Sequence, residues 1–387
     1  MRRTLYTADH KQYRETVREF LAREVEPRFL QWEDDTLIER AVYPAAAAQG
    51  VYALGVPEEY GGAGERDYRY RMVVNEEVAR VGATSFGMTL GLQDDLVLSY
   101  LLDLTTDEQK KRWLEPFARG EILGALAMTE PGTGSDLQGI RTHAHRDGGN
   151  WILNGSKTFI SSATSADVVI VAVRTEPDAG SRGFSLLMVE RDMPGFTRGR
   201  KLAKMGLHAQ DTGELSFDDV RVPADNLIGV EGRGMAHLMS HLPHERLGII
   251  ASAYAAARAV YEHTVRYCFD RQAFGQAIGD FQHSRFVLAE MESELDVAEA
   301  FVDRCVLAFN AGELTATDAA KGKWYLSELQ KRVTDRCVQL HGGYGYMLEY
   351  PVARAFVDGR IQTIYGGTTE IMKELVGRDI AARARKL

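Results

Sequence analysis

Residues 364–371 read IYGGTTEI, and they combine two adjacent glycines with two threonine hydroxyls and a glutamate carboxylate. Adjacent glycines are costly in a helix or a strand, because glycine loses more backbone freedom on folding than any other residue. Without a Cβ, however, the main chain can be approached closely. The stretch therefore indicates a place where another group lies against the backbone.

A second glycine-rich stretch is AMTEPGTGSD at 127–136, where small residues and hydroxyls surround Pro131, Gly132 and Gly134. Such a loop can present backbone N–H groups to an anion or to a planar ring. A plain turn has the same composition, so the loop alone leaves both interpretations open.

Two further motifs carry a similar ambiguity. DRQAFGQAIGDFQ at 270–282 places Arg271 near Phe274, so a guanidinium could bind a pyrophosphate while the ring packs on a flat group. A helix end with a solvated charge would explain this stretch as well. HGGYG at 341–345 permits close approach to the backbone, and a helix break would explain it too.

The elements that must position these motifs fall into three segments. Apolar residues at helical spacing predict helices over about 8–122. The segment 123–230 is rich in β-branched residues and predicts a compact β domain, with a hairpin turn at Asn154-Gly155. Two apolar stripes, at 247–265 and 286–298, predict long packed helices over 231–387. The predicted domains are therefore 1–122, 123–230 and 231–387.

Composition limits the function classes. The chain has 387 residues, of which 45% are hydrophobic and 26% charged, and its formal net charge is −9. This charge argues against a protein that binds nucleic-acid phosphates, and nothing suggests a metal site. No apolar stretch is long enough for a membrane span, and no apolar signal core begins the chain. The three scattered cysteines favour a reducing compartment, so we expect a cytoplasmic protein.

Taken together, the motifs resemble those of the acyl-CoA dehydrogenase family. AMTEPGTGSDLQG at 127–139 resembles the first signature of that family. QLHGGYGYMLEYPVARAFVD at 339–358 matches the second, including Glu349, Arg354 and Asp358. RQAFG and IYGGTTEIMKELVGRDI agree in order and spacing. The resemblance covers essentially the whole chain, and it looks closest to the long-chain and isovaleryl branches.

The resemblance implies an α+β fold with an N-terminal helical domain, a middle β domain and a C-terminal four-helix bundle. It also implies an FAD-dependent dehydrogenase of fatty acid β-oxidation that converts an acyl-CoA thioester to the trans-2-enoyl-CoA. A base would remove the α-proton, and hydride from the β-carbon would pass to flavin N5. Electrons would then pass to an electron-transfer flavoprotein, and the enzyme would be a homotetramer.

The resemblance also assigns cofactor contacts. The 127–136 loop would lie along the flavin ring, and residues near 159–161 would cover it. The segment at 339–343, with the RQAFG motif, would hold the ADP half of FAD from a neighbouring subunit. The residues expected to contact FAD are Met128, Thr129, Ser135, Phe159, Ser161, Arg271, Phe274, Gln282, Gln339, Gly342, Gly343, Thr368 and Glu370.

In medium-chain relatives, the catalytic base is a glutamate at the position of Gly366. The long-chain and isovaleryl branches place it on a helix of the third domain, where HLPHERLGII at 241–250 supplies Glu245. We therefore expect Glu245 to be the base, with Glu370 as a second candidate. The N–H of Gly366, with a flavin ribityl hydroxyl, would form the oxyanion hole.

The expected substrate contacts are Ser135, Arg246, Tyr365 and Gly367. GLQDDLVLSY at 91–100 falls where the family lines its acyl pocket, and Gln93 and Asp94 are polar there. If either side chain faces the pocket, a short or oxygenated acyl group is favoured over a long saturated one. Asp95 could instead cap a helix. The acyl carrier could be CoA or an acyl-carrier protein.

Two other functions compete with the dehydrogenase. One keeps the fold but makes the protein a flavin oxidase or monooxygenase that uses oxygen. The other makes it a DNA-associated or structural protein, although the charge of −9 and the lack of basic runs oppose that hypothesis.

Overall fold

A computed structural model describes residues 3–386 of the chain. The regular elements before its first strand are helices. These helices are α1 (Ala8–Glu24), α2 (Phe29–Asp35), α3 (Val42–Ala48), α4 (Tyr68–Arg80), α5 (Thr84–Gly91), α6 (Leu98–Leu104), α7 (Asp107–Gln109) and α8 (Glu115–Ala118). The apolar spacing predicted α1 correctly, and its residues Val17, Phe20 and Leu21 are buried.

A π-helical segment, Leu92–Val97, joins α5 to α6 in one continuous rod. A π-helical turn holds more residues than an α-turn, so it rotates the side chains that follow it. Gln93, Asp94 and Asp95 lie in this segment, and all three are buried. Asp95 therefore caps no helix, because helical residues continue on both sides of it.

The middle domain is a single twisted sheet. Its strands are β1 (Gly124–Ala127), β2 (His143–Asp147), β3 (Asn150–Ser161), β4 (Val168–Arg174), β5 (Phe184–Glu190), β6 (Phe196–Lys201), β7 (Thr212–Pro223) and β8 (Leu227–Ile228). Their order is β6-β7-β3-β2-β4-β5-β8, and β1 pairs in parallel with β4.

Strand β4 explains how the sheet is held on both faces. Val168, Ile170 and Ala172 pack into the core shared with the N-terminal helices, whereas Val169 and Val171 pack into a separate core on the other face. Successive strand residues point to opposite faces, so a run of β-branched residues marks a strand covered on both sides.

The predicted hairpin at Asn154-Gly155 was wrong. Strand β3 runs unbroken through both residues, with a bulge between Leu153 and Gly155. Asn154 bonds the neighbouring strand β7, donating from Nδ2 to Asp219 Oδ1 at 2.9 Å. The turn lies earlier, at Gly148-Gly149, where β2 pairs with β3. Bulges and turns share a preference for small and amide residues, so the dipeptide did not distinguish them.

Long helices return after the sheet. They are α9 (Gly234–Asp270), α10 (Gln282–Asn310), α11 (Ala316–His341), α12 (Pro351–Gly359) and α13 (Thr369–Ala384), with the short strands β9 (Gln272–Ala273) and β10 (Gln276–Ala277) between α9 and α10. The predicted stripe on α9 is buried, including Leu247, Ile250 and Tyr254. On α10 the stripe begins at Leu288, because Phe286 is 58% exposed.

Two properties of the whole chain follow from these elements. Across residues 3–386, no helix has the length and apolar character needed to cross a membrane. Cys268, Cys305 and Cys337 are buried free thiols, consistent with the absence of CxxC spacing.

Candidate active site

Glu245 lies on α9, beside the turn that contains the two adjacent glycines. A Cβ built on Gly366 would lie 3.5 Å from Glu245 Oε1, so the carboxylate fills the space that the glycine leaves open. Glu245 Oε2 is shielded from solvent, and it has no hydrogen-bond partner among the described residues. The structure therefore brings Glu245 and Gly366 together, as the sequence predicted.

Burial changes the proton affinity of this carboxyl group. Desolvation raises the pKa of Glu245 to about 7, although the nearby cations of Arg246 and Lys323 act in the opposite direction. A carboxylic acid with a pKa near neutrality is suited to accept a proton from a substrate at working pH.

The glycine turn has a backbone that favours glycine. Gly366 has φ +62° and Gly367 has φ +99°, both in the left-handed half of the conformational map. A Cβ on Gly366 would also approach Ile249 Cδ1 to 2.4 Å, and one on Gly367 would approach Met372 Cε to 2.5 Å. The backbone conformation therefore favours glycine at both positions, and a Cβ at either one would displace the end of the Ile249 or Met372 side chain.

Two cations hold the carbonyl groups of the turn. Arg246 Nε donates to the carbonyl of Gly366 at 3.4 Å, and Lys323 Nζ donates to the carbonyl of Gly367 at 2.6 Å. Within residues 3–386, nothing accepts a hydrogen bond from the N–H of Gly366. An orphan N–H beside a buried carboxyl group is the arrangement expected of a donor kept for a ligand oxygen.

Tyr365 lies on the other side of the turn. Its hydroxyl donates to Gln362 Oε1 at 3.0 Å and contacts Met88 Sδ at 3.5 Å, which joins the turn to α5. Burial, with the negative charges of Glu245 and Asp95, raises the pKa of Tyr365. The phenol is therefore a neutral, partly buried group near Glu245.

The 128–136 loop is held by a buried ion pair. Lys157 Nζ donates to Glu130 Oε1 and to the carbonyl of Met128, each at 2.9 Å. Glu130 Oε2 accepts the N–H of Arg141, and Oε1 accepts the N–H of Thr142 as well as the Lys157 ammonium. These contacts fix the start of the loop at Met128 and Glu130, whereas Ser135, near its end, is exposed.

Strand β3 presents Phe159 to the outside of the sheet. A second bulge between Lys157 and Ile160 gives Phe159 a φ of +58°, and its side chain is 68% exposed. The neighbouring N–H of Thr158 donates to the carbonyl of Thr129 at 2.9 Å. The structure therefore brings Thr129 and Phe159 together on adjoining segments, with Ser161 at the end of the same strand.

A second group of predicted residues meets at the far end of α9. Phe274 and Gly275 form the tip of the β9–β10 hairpin, and Phe274 is 97% exposed. Arg271, at the base of the hairpin, stacks its guanidinium 5.6 Å from the ring centre of Tyr344. This contact joins the RQAFG motif to the 341–345 glycine segment.

The remaining predicted cofactor residues lie on helix ends or exposed faces. Thr368 caps α13 by accepting the N–H of Ile371, and Glu370 is exposed in the first turn of that helix. Gln282 begins α10, and Gln339 lies on an exposed face of α11. Glu370 therefore lacks the enclosed setting that Glu245 has.

The polar groups of the 91–100 stretch bind the main chain. Gln93 exchanges two hydrogen bonds with Gly124, one at 2.8 Å and one at 3.0 Å. Asp94 Oδ1 accepts the N–H of Ala53 at 2.8 Å. Gln93 is thereby fully used in tying the π-helical segment to β1, whereas Asp94 keeps one free oxygen.

Three charged residues of the site escaped the sequence analysis. Lys157 and Lys323 are buried and hold main-chain carbonyls around the two glycine-rich loops. Arg71 is buried beside Asp95, which it meets at 3.3 Å. No local pattern marks such residues, because their partners lie far away along the chain; only a lysine inside a β-strand, as at 157, was a usable signal.

Comparison with known proteins gives a consistent result. Family models match the acyl-CoA dehydrogenase N-terminal domain at 7–121, the middle domain at 125–220 and the C-terminal domain at 232–381. Long-chain specific acyl-CoA dehydrogenase, mitochondrial, from Sus scrofa is 45% identical over 380 residues, covering 98% of this chain and 88% of the relative.

Solved structures share the architecture. The crystal structure of acyl-CoA dehydrogenase from Geobacillus kaustophilus has a TM-score of 0.94 and 44% identity, covering 97% of this chain and 98% of that one. The structure of a glutaryl-CoA dehydrogenase from Mycobacterium smegmatis in complex with FADH2 has a TM-score of 0.91 and 28% identity, covering 98% and 96% of the two chains.

The helical, β and helical domains, with a buried carboxyl group of α9 beside a glycine turn, define a flavin-dependent oxidoreductase. The chain belongs to the acyl-CoA dehydrogenase family, and its cofactor is FAD.

The residues present fit this cofactor. A Cβ on any of the four loop glycines Gly132, Gly134, Gly342 and Gly343 would meet nothing within 4 Å, so packing within the chain does not demand glycine there. Phe159 and Phe274 are large apolar side chains that the described chain leaves uncovered. Close backbone approach and exposed aromatic rings are what a dinucleotide with two flat ends requires.

Proposed function

We propose that the enzyme dehydrogenates an acyl-CoA thioester to its trans-2-enoyl-CoA, with Glu245 as the base that removes the α-proton. The observation that carries this proposal is the placement of the Glu245 carboxyl group against the Gly366-Gly367 turn. A base and an N–H donor without a partner within residues 3–386 lie at the same turn, and removal of a proton next to a carbonyl group uses both kinds of group.

Each residue of the turn has a separate part. The ionised Glu245 accepts the α-proton, and negative charge then develops on the thioester oxygen. The N–H of Gly366 donates to that oxygen, and the positive charges of Arg246 and Lys323 favour it from behind the turn. When bound, FAD supplies the acceptor for the hydride that leaves the β-carbon.

The cofactor contacts extend this proposal. Thr129, Ser135, Phe159 and Ser161 line the flavin side, and Met128 belongs to the same loop. Thr368 and Glu370 lie near the cofactor at the start of α13. The ADP half of FAD is bound from a neighbouring subunit, and the exposure of Phe274 supports this assignment. The residues that bind it are Arg271, Phe274, Gln282, Gln339, Gly342 and Gly343.

Substrate and partner assignments complete it. Arg246, Tyr365 and Gly367 border the thioester end of the substrate, and Ser135 lies on the CoA side. The enzyme assembles as a homotetramer and passes its electrons to an electron-transfer flavoprotein.

The test is an anaerobic titration of the purified holoenzyme that follows the yellow flavin absorbance. Short, branched, medium and long acyl-CoAs are added separately. Bleaching by one class, with formation of the enoyl-CoA, is the expected result. A flavin that no acyl-CoA bleaches, but that is reduced by an acyl-carrier-protein thioester, would contradict the CoA assignment.

A further inference from the structure

A buried polar cluster lies one helical turn from Glu245 along α9. Gly248 follows Glu245 by three residues, which is about 4.5 Å along a helix axis. A Cβ on Gly248 would lie 2.6 Å from Asp95 Oδ2, so the glycine makes room for that carboxylate. Tyr68 also donates to Asp95 Oδ1 at 3.1 Å. The same face of α9 therefore carries the base and borders a second set of charges.

Arg71 has unused hydrogen-bonding groups in this cluster. Its side chain is buried, with 6% of the residue exposed, and its Nε donates to Asp95 Oδ2 at 3.3 Å. Nη1 and Nη2 are both shielded from solvent and have no partner within residues 3–386. A buried guanidinium is costly unless its N–H groups are hydrogen-bonded. Two nitrogens without partners therefore indicate a site for a bound polar group.

Asp94 provides a second unused group next to Arg71. Its Oδ1 binds the N–H of Ala53, whereas Oδ2 is buried without a partner in the described chain. Burial, together with the neighbouring carboxylate of Asp95, raises the pKa of Asp94 to about 7, although Arg71 opposes this. Near neutral pH this carboxyl group can either donate or accept a hydrogen bond.

Tyr365 connects this cluster to the reaction site. Its hydroxyl is influenced by the charges of both Glu245 and Asp95, and it contacts Met88 on α5. Gly91, at the end of the same helix, lies so close that a Cβ there would meet Arg71 Nη2 at 3.3 Å and Asp95 Oδ2 at 3.4 Å. The free polar groups thus lie beside α5 and α9, the two helices that also contact Tyr365 and carry Glu245.

We propose that this cluster recognises a hydroxyl group on the acyl chain, so that the preferred substrates are short hydroxyacyl-CoA thioesters. The inference rests on the proposed dehydrogenation at Glu245. Arg71 donates to the hydroxyl oxygen, and Asp94 accepts or shares its proton. The distance along α9 from Glu245 to the cluster is about one helical turn, so it fits a short acyl chain.

The charges of the cluster favour a neutral group over a carboxylate. One guanidinium, that of Arg71, already faces the carboxylate of Asp95, and Asp94 adds a second carboxyl group. A carboxylate on the substrate would bring a further negative charge beside the Arg71 guanidinium. The other basic group at Asp95 is the His244 imidazole, 4.0 Å away, and burial lowers its pKa, which favours the neutral form. A hydroxyl group adds no charge and can satisfy a donor and an acceptor together.

The test uses the wild-type holoenzyme with matched substrates: butanoyl-, pentanoyl- and hexanoyl-CoA, each with its ω-hydroxylated and ω-carboxylated counterpart. At one chain length, kcat/KM for the hydroxylated substrate should exceed that for the plain one by at least about tenfold, because the plain chain leaves buried polar groups unpaired. Plain chains that match or exceed their hydroxylated counterparts at every length, or a preference for the carboxylated series, would overturn the inference.

Binding provides a second readout that is independent of turnover. Dissociation constants of the corresponding enoyl-CoA products, measured by calorimetry, should show the same preference. If no acyl-CoA is oxidised while hydroxylated products still bind more tightly, the proposed function fails and the cluster assignment holds. If plain acyl-CoAs are oxidised and hydroxylation gives no advantage in rate or binding, the proposed function holds and the cluster assignment fails.

Variants locate the preference. Arg71→Met should reduce the hydroxylated-to-plain ratio by about tenfold, and Asp94→Asn should reduce it less, since Oδ1 still accepts from Ala53. Arg69→Met is the matched control, because Arg69 is in the same helix and pairs with Asp67 near the surface. An unchanged ratio in a folded Arg71→Met enzyme would show that the hydroxyl group binds elsewhere.

Discussion

Glu245 and Gly366 are complementary: the carboxyl oxygen of one lies 3.5 Å from the place where a side chain on the other would begin. One position supplies the functional group, and the other supplies the room for it. A side chain longer than a methyl group at 366 would therefore compete with the α9 carboxyl group for the same room.

The first prediction concerns the base. Glu245→Gln should keep the fold and bound FAD but slow flavin reduction by about 10³-fold, because general-base catalysis is lost. The measurement is anaerobic stopped-flow reduction by the best acyl-CoA. Glu262→Gln, an exposed glutamate on the same helix, should react at the wild-type rate. A near-normal rate in Glu245→Gln, with loss of activity in Glu370→Gln, would transfer the role to Glu370.

The second prediction concerns the position opposite the base. Gly366→Glu in the Glu245→Gln background should restore little activity, because the new Cβ would meet Ile249 Cδ1 at 2.4 Å and φ is +62°. Adding Ile249→Ala removes that contact and should raise the rate at least about tenfold. The control is Glu245→Gln with Ile249→Ala alone. Equal rates in this control and the triple variant would show that a glutamate at 366 does not reach the substrate.

The third prediction concerns pH. Only the ionised carboxylate can accept the α-proton, so the flavin reduction rate should rise with pH and level off above the pKa of Glu245, about 7. Lys323→Met removes a charge that lowers this pKa, so the midpoint should move to higher pH. Lys331→Met, an exposed position on the same helix, is the control. A downward shift would contradict the assigned electrostatics.

The fourth prediction concerns the buried pair Lys157–Glu130. Lys157→Met leaves a carboxylate buried and unpaired, and it should cost about 3–5 kcal/mol of stability. Adding Glu130→Gln should recover part of the loss, since no charge is then stranded. Thermal unfolding and flavin release provide the measurement, and Lys321→Met, from an exposed pair, should change stability little. Additive losses in the double variant would mean that the pair is not coupled.

The fifth prediction concerns the β9–β10 hairpin. Phe274→Ala should weaken FAD retention and shift the elution volume towards smaller species, because a side chain that is 97% exposed in the single chain is proposed to pack on a neighbouring subunit and its cofactor. Gel filtration with absorbance at the flavin band measures both effects. Leu30→Ala, also at an exposed apolar residue, is the control. Unchanged flavin content and size would remove the hairpin from the interface.

The sequence predicted the domain order well, because apolar periodicity and long motifs are local signals. The proximity of Glu245 to the glycine turn was predicted from the family resemblance. Periodicity alone does not predict it, because Glu245 and Gly366 are 121 positions apart in the sequence. The prediction failed at Asn154-Gly155, where a bulge has the composition of a turn. Lys323 and Arg71 were also missed, since a buried charge is recognised only from partners that folding supplies.

The π-helical segment has a consequence for how this chain can change over time. Three successive side chains reach three domains: Gln93 binds Gly124 of the sheet, Asp94 binds Ala53 in a loop of the N-terminal domain, and Asp95 packs against Gly248 of α9. Losing one residue would return the segment to an α-helix and turn all three away from their partners together. Individual amino acids here can be exchanged to retune the pocket, but the length of the segment is under a stricter constraint than its composition.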